Sequence, residues 1–130
     1  MTPPEAPADK MGIMPPAVSF SLQIMRKRAQ FLAAARALRQ GTPSMMVQAR
    51  ARDDGDEAVH VGFTCSKKVG NAVARNRAKR RLRALAREVL PVKARPGWDY
   101  VLIGKPEATV SRDFAEMRRD LISALARLHG

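Results

Sequence analysis

The residues best suited to chemistry in this chain of 130 residues are cationic, and they lie close together. Residues 66–87, SKKVGNAVARNRAKRRLRALAR, carry nine Lys or Arg and no Asp or Glu. Such a segment is suited to binding the phosphates of a polyanion, because neutralising phosphates releases their condensed counterions. The formal charge of the whole chain, +12, favours the same class of partner, either a nucleic acid or an anionic membrane surface.

Side chains for covalent catalysis or metal binding are sparse. Cys65 is the only cysteine, and it alternates with three apolar residues, Val59, Val61 and Phe63. This pattern predicts a small core residue on a strand rather than a reactive thiol. His60 is the only internal histidine, and we expect His129 to be a frayed terminal residue. The sequence therefore predicts no catalytic residue in the protein.

An acidic cluster interrupts the middle of the chain. It consists of Asp53, Asp54, Asp56 and Glu57. Its spacing differs from that of a calcium loop, which spreads its ligands over about twelve residues. We therefore expect a solvated turn and no metal site.

A helix is the element that must position the cationic side chains. On a helical wheel, residues 72–90 place their apolar side chains in one narrow stripe that can dock onto a sheet: Ala74, Ala78, Leu82, Leu85 and Val89. The remaining arc holds Arg75, Asn76, Arg77, Lys79, Arg80, Arg81, Arg83 and Arg87. Like charges one turn apart repel by about 0.2–0.5 kcal/mol, and a helix that serves only solubility interleaves both signs. The pattern favours a nucleic-acid-binding helix over a functionless basic helix or one that binds an acidic protein.

The start of this helix is a second candidate site for phosphate. Gly70 and Asn71 precede it, and Lys67 and Lys68 lie just upstream. The free amides of a helix N-terminus, together with nearby lysines, can hold a phosphate group.

Weaker patterns predict the surrounding elements. A first helix is predicted within residues 25–41, where Gly41 and Pro43 supply the end signal. Residues 44–52 and 58–68 alternate in polarity, which predicts two strands of an antiparallel hairpin. Pro91, Pro96 and Gly97 indicate a connection to residues 98–105, a predicted strand buried on both faces. A last helix is predicted within residues 111–130, with Ser111 as its N-cap and Asp113 near its positive end.

These elements predict an α+β fold. Their order is helix, strand, strand, helix, strand, helix, with or without one more short strand, and it indicates a two-layer sandwich of helices on a small mixed sheet. We expect residues 1–23, which are rich in proline, to be a disordered tail, and residues 24–130 to be one domain. No run approaches the ~18 apolar residues of a membrane span, and prolines interrupt any secretory signal, so we expect a cytoplasmic protein.

The partner is expected to be RNA rather than DNA. The sequence has no zinc-ligand spacing, no leucine-zipper heptad and no helix-turn-helix pair around the basic segment. The only Trp and Tyr are Trp98 and Tyr100, too few aromatic residues for a sheet that stacks several bases. The residues by themselves therefore predict RNA binding mainly through phosphates.

The basic segment also resembles a known family. VGFTCSKKVGNAVARNRAKRRLR (61–83) closely resembles the signature of the protein subunit of bacterial ribonuclease P, including its RNR element at 75–77. MRKRAQFLAAAR (25–36) is similar to that family's first helix, and DYVLIGKPEA (99–108) is similar to its last strand. The resemblance covers roughly residues 25–128. Cys65 departs from the family pattern, since an aliphatic residue is expected there.

The resemblance implies a fold and a division of labour. The fold would contain a left-handed βαβ crossover, with the basic helix as the crossover, which departs from the usual right-handed rule. The protein would bind a large catalytic RNA, and the particle would remove 5′ leaders from precursor transfer RNAs. The cleavage chemistry and its magnesium ions would belong to the RNA, with no cofactor bound by the protein alone, no membrane partner and no small-molecule substrate.

The resemblance also implies two binding surfaces. The catalytic RNA would contact Lys67, Lys68, Asn71, Arg75, Asn76, Arg77, Lys79, Arg80 and Arg83. The single-stranded leader would lie in a cleft between the first helix and the mixed face of the sheet, lined by Arg28, Phe31, Met46, Gln48, Thr64 and Ser66. Strand alternation supports this cleft independently, because Met46, Gln48 and Arg50 form a face too polar for a core and too apolar for a plain solvated surface. The sequence leaves open whether Phe31 stacks on RNA or packs in the core.

Two other classes of protein fit the composition. A structural RNA-binding protein of the ribosome can share this fold, and a nonspecific DNA-compacting protein would carry a similar charge. A ribosomal protein should not restore precursor cleavage by the catalytic RNA, whereas a ribonuclease P protein should. A DNA-compacting protein should bind duplex DNA and structured RNA with comparable affinity at equal salt.

Overall fold

A five-stranded mixed sheet forms the centre of the fold. The computed structural model describes residues 22–130. The strands are β1 (Leu22–Ile24), β2 (Leu38–Gly41), β3 (Met45–Ala51), β4 (Val59–Thr64) and β5 (Trp98–Gly104). Across the sheet their order is β1-β4-β5-β3-β2. β1, β4 and β5 run parallel, whereas β3 is antiparallel to both β5 and β2. The central β5 is buried on both faces from Asp99 to Leu102, as its apolar run predicted.

Within residues 22–130, four α-helices cover the two faces of this sheet unequally. They are α1 (Arg28–Ala35), α2 (Ala72–Lys93), α3 (Ala108–Ser111) and α4 (Phe114–His129). α2 and α4 enclose the main core with one face of the sheet, where Tyr100 and Leu102 lie. A smaller cluster, in which Ala34 of α1 packs on Val101 of β5, covers the other face. The predicted α+β class is confirmed.

The basic segment forms the crossover between two parallel strands. β4 leads through a one-turn 3₁₀ helix (Lys67–Val69) into α2, and the chain returns as β5, the parallel neighbour of β4. The predicted stripe is buried at Ala78, Leu82, Leu85 and Val89, and Ala74 is half-buried. Ala86 and Leu90 are buried as well, which widens the stripe. The left-handed sense of the crossover stays a prediction of the resemblance.

The predicted hairpin of β3 and β4 is wrong. β5 lies between these strands, parallel to β4 and antiparallel to β3. The connecting residues 52–58 therefore cross the end of β5 instead of making a tight turn. The side chain of Arg52 secures this crossing, because its Nη1 donates both to the Trp98 carbonyl, at 3.1 Å, and to Oδ1 of Asp99, at 2.8 Å. The alternation of β3 determines which face each of its side chains occupies. It does not reveal the pairing partner of β3, which is β5, a strand that begins almost fifty residues after β3 ends.

The predicted first helix is too long. α1 ends at Ala35, and Leu38–Gly41 forms the edge strand β2, paired with β3. Leu38 is 48% exposed, so no core contact requires it to continue the helix. The helix-forming preference of Ala, Leu and Arg is a weak effect, and pairing with β3 overrides it here.

Several predicted element ends also differ. α2 runs through Pro91 to Lys93, because a proline in the last turn costs only one helix hydrogen bond. Ser111 ends α3, and Asp113 rather than Ser111 is the N-cap residue of α4. β1 was not predicted, and it includes Leu22 and Gln23, the last two residues of the expected tail. The rest of that expected tail lies outside the described residues.

His129 is packed rather than frayed, which corrects another prediction. Its Nε2 lies 2.7 Å from Oη of Tyr100, and its ring meets Trp98 edge-on with centroids 4.4 Å apart. The Arg95 amide donates to the same Tyr100 oxygen at 2.9 Å. Burial, aided by the charge of Arg95, lowers the pKa of His129 below its usual value. Burial raises the pKa of Tyr100 to about 12.

Candidate nucleic-acid interface

The start of α2 is shaped by local hydrogen bonds. Oδ1 of Asn71 accepts from the Ala74 amide at 2.9 Å and so caps the helix. One residue earlier, Gly70 has φ of 141°, and a Cβ there would lie 2.8 Å from Cβ of Ala74. Oγ of Ser66 accepts from the Lys68 amide at 3.3 Å and starts the 3₁₀ turn. These contacts hold the two lysines of this turn beside the N-terminal end of α2.

The residues predicted to contact the catalytic RNA all lie on α2 or on the turn before it, and we call them the basic surface. Each is exposed or half-buried: Lys67, Lys68, Asn71, Arg75, Asn76, Arg77, Lys79, Arg80 and Arg83. Seven of them are cations, and none forms an ion pair with a carboxylate of residues 22–130. Unpaired cations on a rigid helix attract a polyanion, and they repel one another when no polyanion is bound.

Arg81 departs from the predicted basic arc. Its Nη2 donates to the carbonyl of Arg112, which lies between α3 and α4, and is 3.1 Å from Sδ of Met117 on α4. The Arg81 guanidinium lies 5.8 Å from the centroid of the Phe114 ring. Arg81 therefore joins α2 to α4, because the wheel angle of a residue does not reveal which neighbouring element its long side chain reaches.

Three of the residues predicted for the leader cleft lie on the face of the sheet opposite α2. Met46 and Thr64 both flank Ile103, and Gln48 flanks Val101, so the three side chains share one face. We call this the cleft face. Ser66 lies past the end of β4 and is exposed, so it does not lie on this face.

Phe31 covers this face from α1. A Cβ at Gly62 would lie 2.5 Å from the Phe31 ring, which shows how closely the ring approaches β4. Phe31 packs with Met25, Ala34 and Val101 and is half-buried. It therefore has a packing role and still presents part of its ring to solvent. Arg28 is exposed in the first turn of the same helix.

A buried ionic cluster that the sequence did not predict lies at one end of the cleft face. The side chain of Asp99 is fully buried. Its Oδ1 lies 2.8 Å from Nη1 of Arg52 and 3.1 Å from Nδ1 of His60, and its Oδ2 lies 3.3 Å from Nη1 of Arg50. The Arg50 side chain remains 35% exposed, so it presents a cation next to Gln48. Strand alternation could have indicated part of this cluster, because it places Arg50 on the same face as Gln48, and His60 on the same face as Thr64.

Groups for other chemistry are few in the described part of the chain. Cys65 packs against the main core, as predicted, but it is half-buried and lies just past the end of β4 rather than on the strand. Burial raises the pKa of its thiol. In the acidic loop, hydrogen bonds from the Asp56 amide and from Arg52 lower the pKa of Asp54. Between residues 22 and 130, no three His, Cys, Asp or Glu residues cluster in a way that could hold a metal ion. In the same range, no helix is both long and apolar enough to cross a membrane.

The chain is similar in sequence to known bacterial proteins. The chain is 64% identical over 121 residues to a ribonuclease P protein component from Ruegeria pomeroyi, which covers 89% of this chain and 97% of that protein. It is 49% identical over 104 residues to the corresponding component from Caulobacter vibrioides, covering 80% of this chain and 69% of that one.

Solved structures show the same fold. The ribonuclease P protein from Thermotoga maritima aligns with a TM-score of 0.66 at 25% identity, over 79% of this chain and 94% of that chain. The protein from Staphylococcus aureus aligns with a TM-score of 0.65 at 23% identity, over 82% and 97%. The family model described as Ribonuclease P matches residues 21–129. The chain therefore belongs to the ribonuclease P protein family and is a bacterial protein subunit of that ribonuclease, as its basic segment predicted.

Proposed function

We propose that this protein binds the catalytic RNA of ribonuclease P through its basic surface and the 5′ leader of precursor transfer RNA through its cleft face. In this role it assists the endonucleolytic removal of the leader that produces the mature 5′ end. The protein works in the cytoplasm, where precursor transfer RNA is made.

The observation that carries the proposal is the pairing state of the cations on α2. All seven cations of the basic surface lack a carboxylate partner among residues 22–130. The opposite stripe of the same helix is fixed in the core by Leu82 and Leu85, neither of which is accessible to solvent. The cations therefore have a fixed spacing, and phosphates can bind to them without a large ordering cost.

The position of the two surfaces supports binding of both RNAs at once. α2 packs on the face of the sheet that carries Tyr100 and Leu102, whereas α1 packs on the face that carries Val101. A leader on the cleft face would therefore not compete with the catalytic RNA on α2. Phe31 offers a partly exposed ring for stacking, which is worth about 1–3 kcal/mol per base. Arg50, on the same strand face as Gln48, and Arg28, exposed on α1, would serve the leader backbone.

We assign the cleavage chemistry and its magnesium ions to the RNA, as the resemblance implies. The contribution of the protein is then electrostatic and positional. It neutralises phosphates that would otherwise repel one another, and it fixes the leader relative to the catalytic RNA.

Reconstitution tests this function. The bacterial catalytic RNA is incubated with precursor transfer RNA at a magnesium concentration too low for the RNA to act alone, with and without the protein. We expect the protein to restore cleavage at the mature 5′ end. A variant with Arg75, Arg77 and Arg80 replaced by Ala should require a higher protein concentration for the same rate, because its affinity for the RNA is lower.

A control distinguishes loss of cations from the basic surface from a general loss of positive charge. A variant with Lys93, Arg119 and Arg127 replaced by Ala loses the same charge from exposed positions outside both surfaces. It should restore cleavage as well as the unaltered protein does. Equal cleavage with and without protein, at protein concentrations that saturate the RNA, would contradict the proposed function.

A further inference from the structure

An open groove lies between the edge strand β1 and helix α2, away from the cleft face. It has a volume of about 320 Å³. Its floor is apolar, and two arginines of α2 form its rim: the lining residues are Leu22, Ile24, Val61, Phe63, Arg83, Ala86 and Arg87. Ile24 is 52% exposed, so part of the apolar lining is open to solvent.

The rim of the groove continues the basic surface. Arg83 is the last cation of that surface, and Arg87 follows one turn later on the same helix. Arg87 is exposed and, like Arg83, forms no ion pair with a carboxylate of residues 22–130. A polyanion that follows α2 from its N-terminus therefore reaches this groove without leaving positive potential.

The side chains of the groove match the chemistry of a nucleotide. The guanidinium of Arg83 lies 5.8 Å from the centroid of the Phe63 ring, so a planar cation and an aromatic ring lie side by side. Unpaired bases bind to proteins by stacking on aromatic rings and arginine planes while neighbouring cations hold the phosphates. An apolar peptide would bury the floor but would leave both arginines of the rim without a partner.

We propose that this groove holds an unpaired nucleobase of the catalytic RNA, with its flanking phosphates on Arg83 and Arg87. The inference rests on the proposed function, since it assigns a further contact to the same RNA. The catalytic RNA is the source rather than the leader, because the groove adjoins α2 on the face of the sheet opposite the cleft face.

Photo-crosslinking tests the location. In a Cys65→Ala background, Ile24→Cys and Val92→Cys each receive a short thiol-linked photoreactive group. Val92 is the matched control, because it is 53% exposed and lies on α2 beyond the groove. Both labelled proteins must first restore precursor cleavage. Failure of the unaltered protein at that step would contradict the proposed function and not this inference specifically.

The inference requires a crosslink from position 24 to an unpaired nucleotide of the catalytic RNA, with much less crosslinking from position 92. No crosslink from position 24, equal yields from both positions, or a product mapped to a duplex region would overturn it. A product joined to the leader, or to the protein's own residues before Leu22, would also overturn it.

Affinity measurements test the chemistry. Phe63→Leu keeps an apolar side chain but removes the ring, and we expect it to weaken binding to the catalytic RNA roughly tenfold without changing the salt dependence. Arg87→Ala should lower the slope of log affinity against log salt by about 1. Arg127→Ala, an exposed cation on α4, should change neither quantity. If both groove variants bind as the unaltered protein does, the groove holds no nucleotide. Should Phe63→Leu fail to fold, the salt dependence of Arg87→Ala decides the question by itself.

Discussion

Replacing Arg75, Arg77 and Arg80 with Ala tests the central physical claim, that unpaired cations on α2 bind phosphates. Arg77 and Arg80 are exposed, Arg75 is half-buried, and all three lie outside the buried stripe of α2. None of them has a carboxylate partner among residues 22–130. The free energy of unfolding should therefore change by less than about 0.5 kcal/mol per site, and like-charge repulsion along the helix should decrease.

The magnitude of the binding effect follows from counterion release. Each phosphate contact contributes about 0.9 to the slope of log affinity against log salt on a duplex. Losing three contacts should lower that slope by about 2–3. Between roughly 50 and 200 mM salt, the unaltered protein should then lose about 40-fold more affinity than the triple variant does.

Filter binding or fluorescence anisotropy with the catalytic RNA, over a series of salt concentrations, measures the slope. The variant with Lys93, Arg119 and Arg127 replaced by Ala controls for net charge, because it also loses three cations. The reasoning is refuted if the slope of the α2 variant is unchanged, or if the control variant lowers the slope equally.

Three further predictions concern the cleft face and the core. Phe31→Ala should weaken binding of precursor transfer RNA more than binding of the catalytic RNA, and Gly62→Ala should do the same, because its new Cβ would lie 2.5 Å from the Phe31 ring and displace it. Asp99→Asn should lower the free energy of unfolding by about 3–5 kcal/mol in urea titrations, since it removes the buried carboxylate that pairs with Arg52, whose side chain is only 6% exposed. The free energy of unfolding should also fall as pH decreases through about 6.5, because the pKa of His129 is lower in the folded than in the unfolded state and the unfolded state binds the proton first. Denaturation at a series of pH values measures this loss.

Each of these predictions has a specific control. Equal weakening of both RNAs by Phe31→Ala would indicate that the ring only packs against the sheet. Asp54→Asn alters an exposed partner of Arg52 and should change stability far less than Asp99→Asn, so similar effects would mean that burial of the ion pair is unimportant. His129→Gln should remove its part of the pH dependence. If the variant and the unaltered protein lose stability in parallel between pH 7.5 and 5, another group is responsible.

The sequence was most informative where a local pattern acts alone. The stripe of α2 and its basic arc follow from the 3.6-residue period, and the burial of β5 follows from its continuous apolar run. The alternation of β3 placed Met46 and Gln48 on one face before their neighbours were known. The family resemblance rested on the same basic segment, whose residues are contiguous in the chain.

Only the tertiary structure decided which elements meet. β5 pairs with both β3 and β4, although it lies far from β3 in the sequence, and this insertion removed the predicted hairpin. Pairing with β3 also made a strand of Leu38–Gly41, whose residues prefer a helix. Asp99 acquired its cationic partners, and His129 its hydroxyl partner, through contacts between distant segments. The periodicity of polar and apolar residues determines which face of its element a side chain occupies. Contacts between segments distant in the chain determine which other element that face packs against.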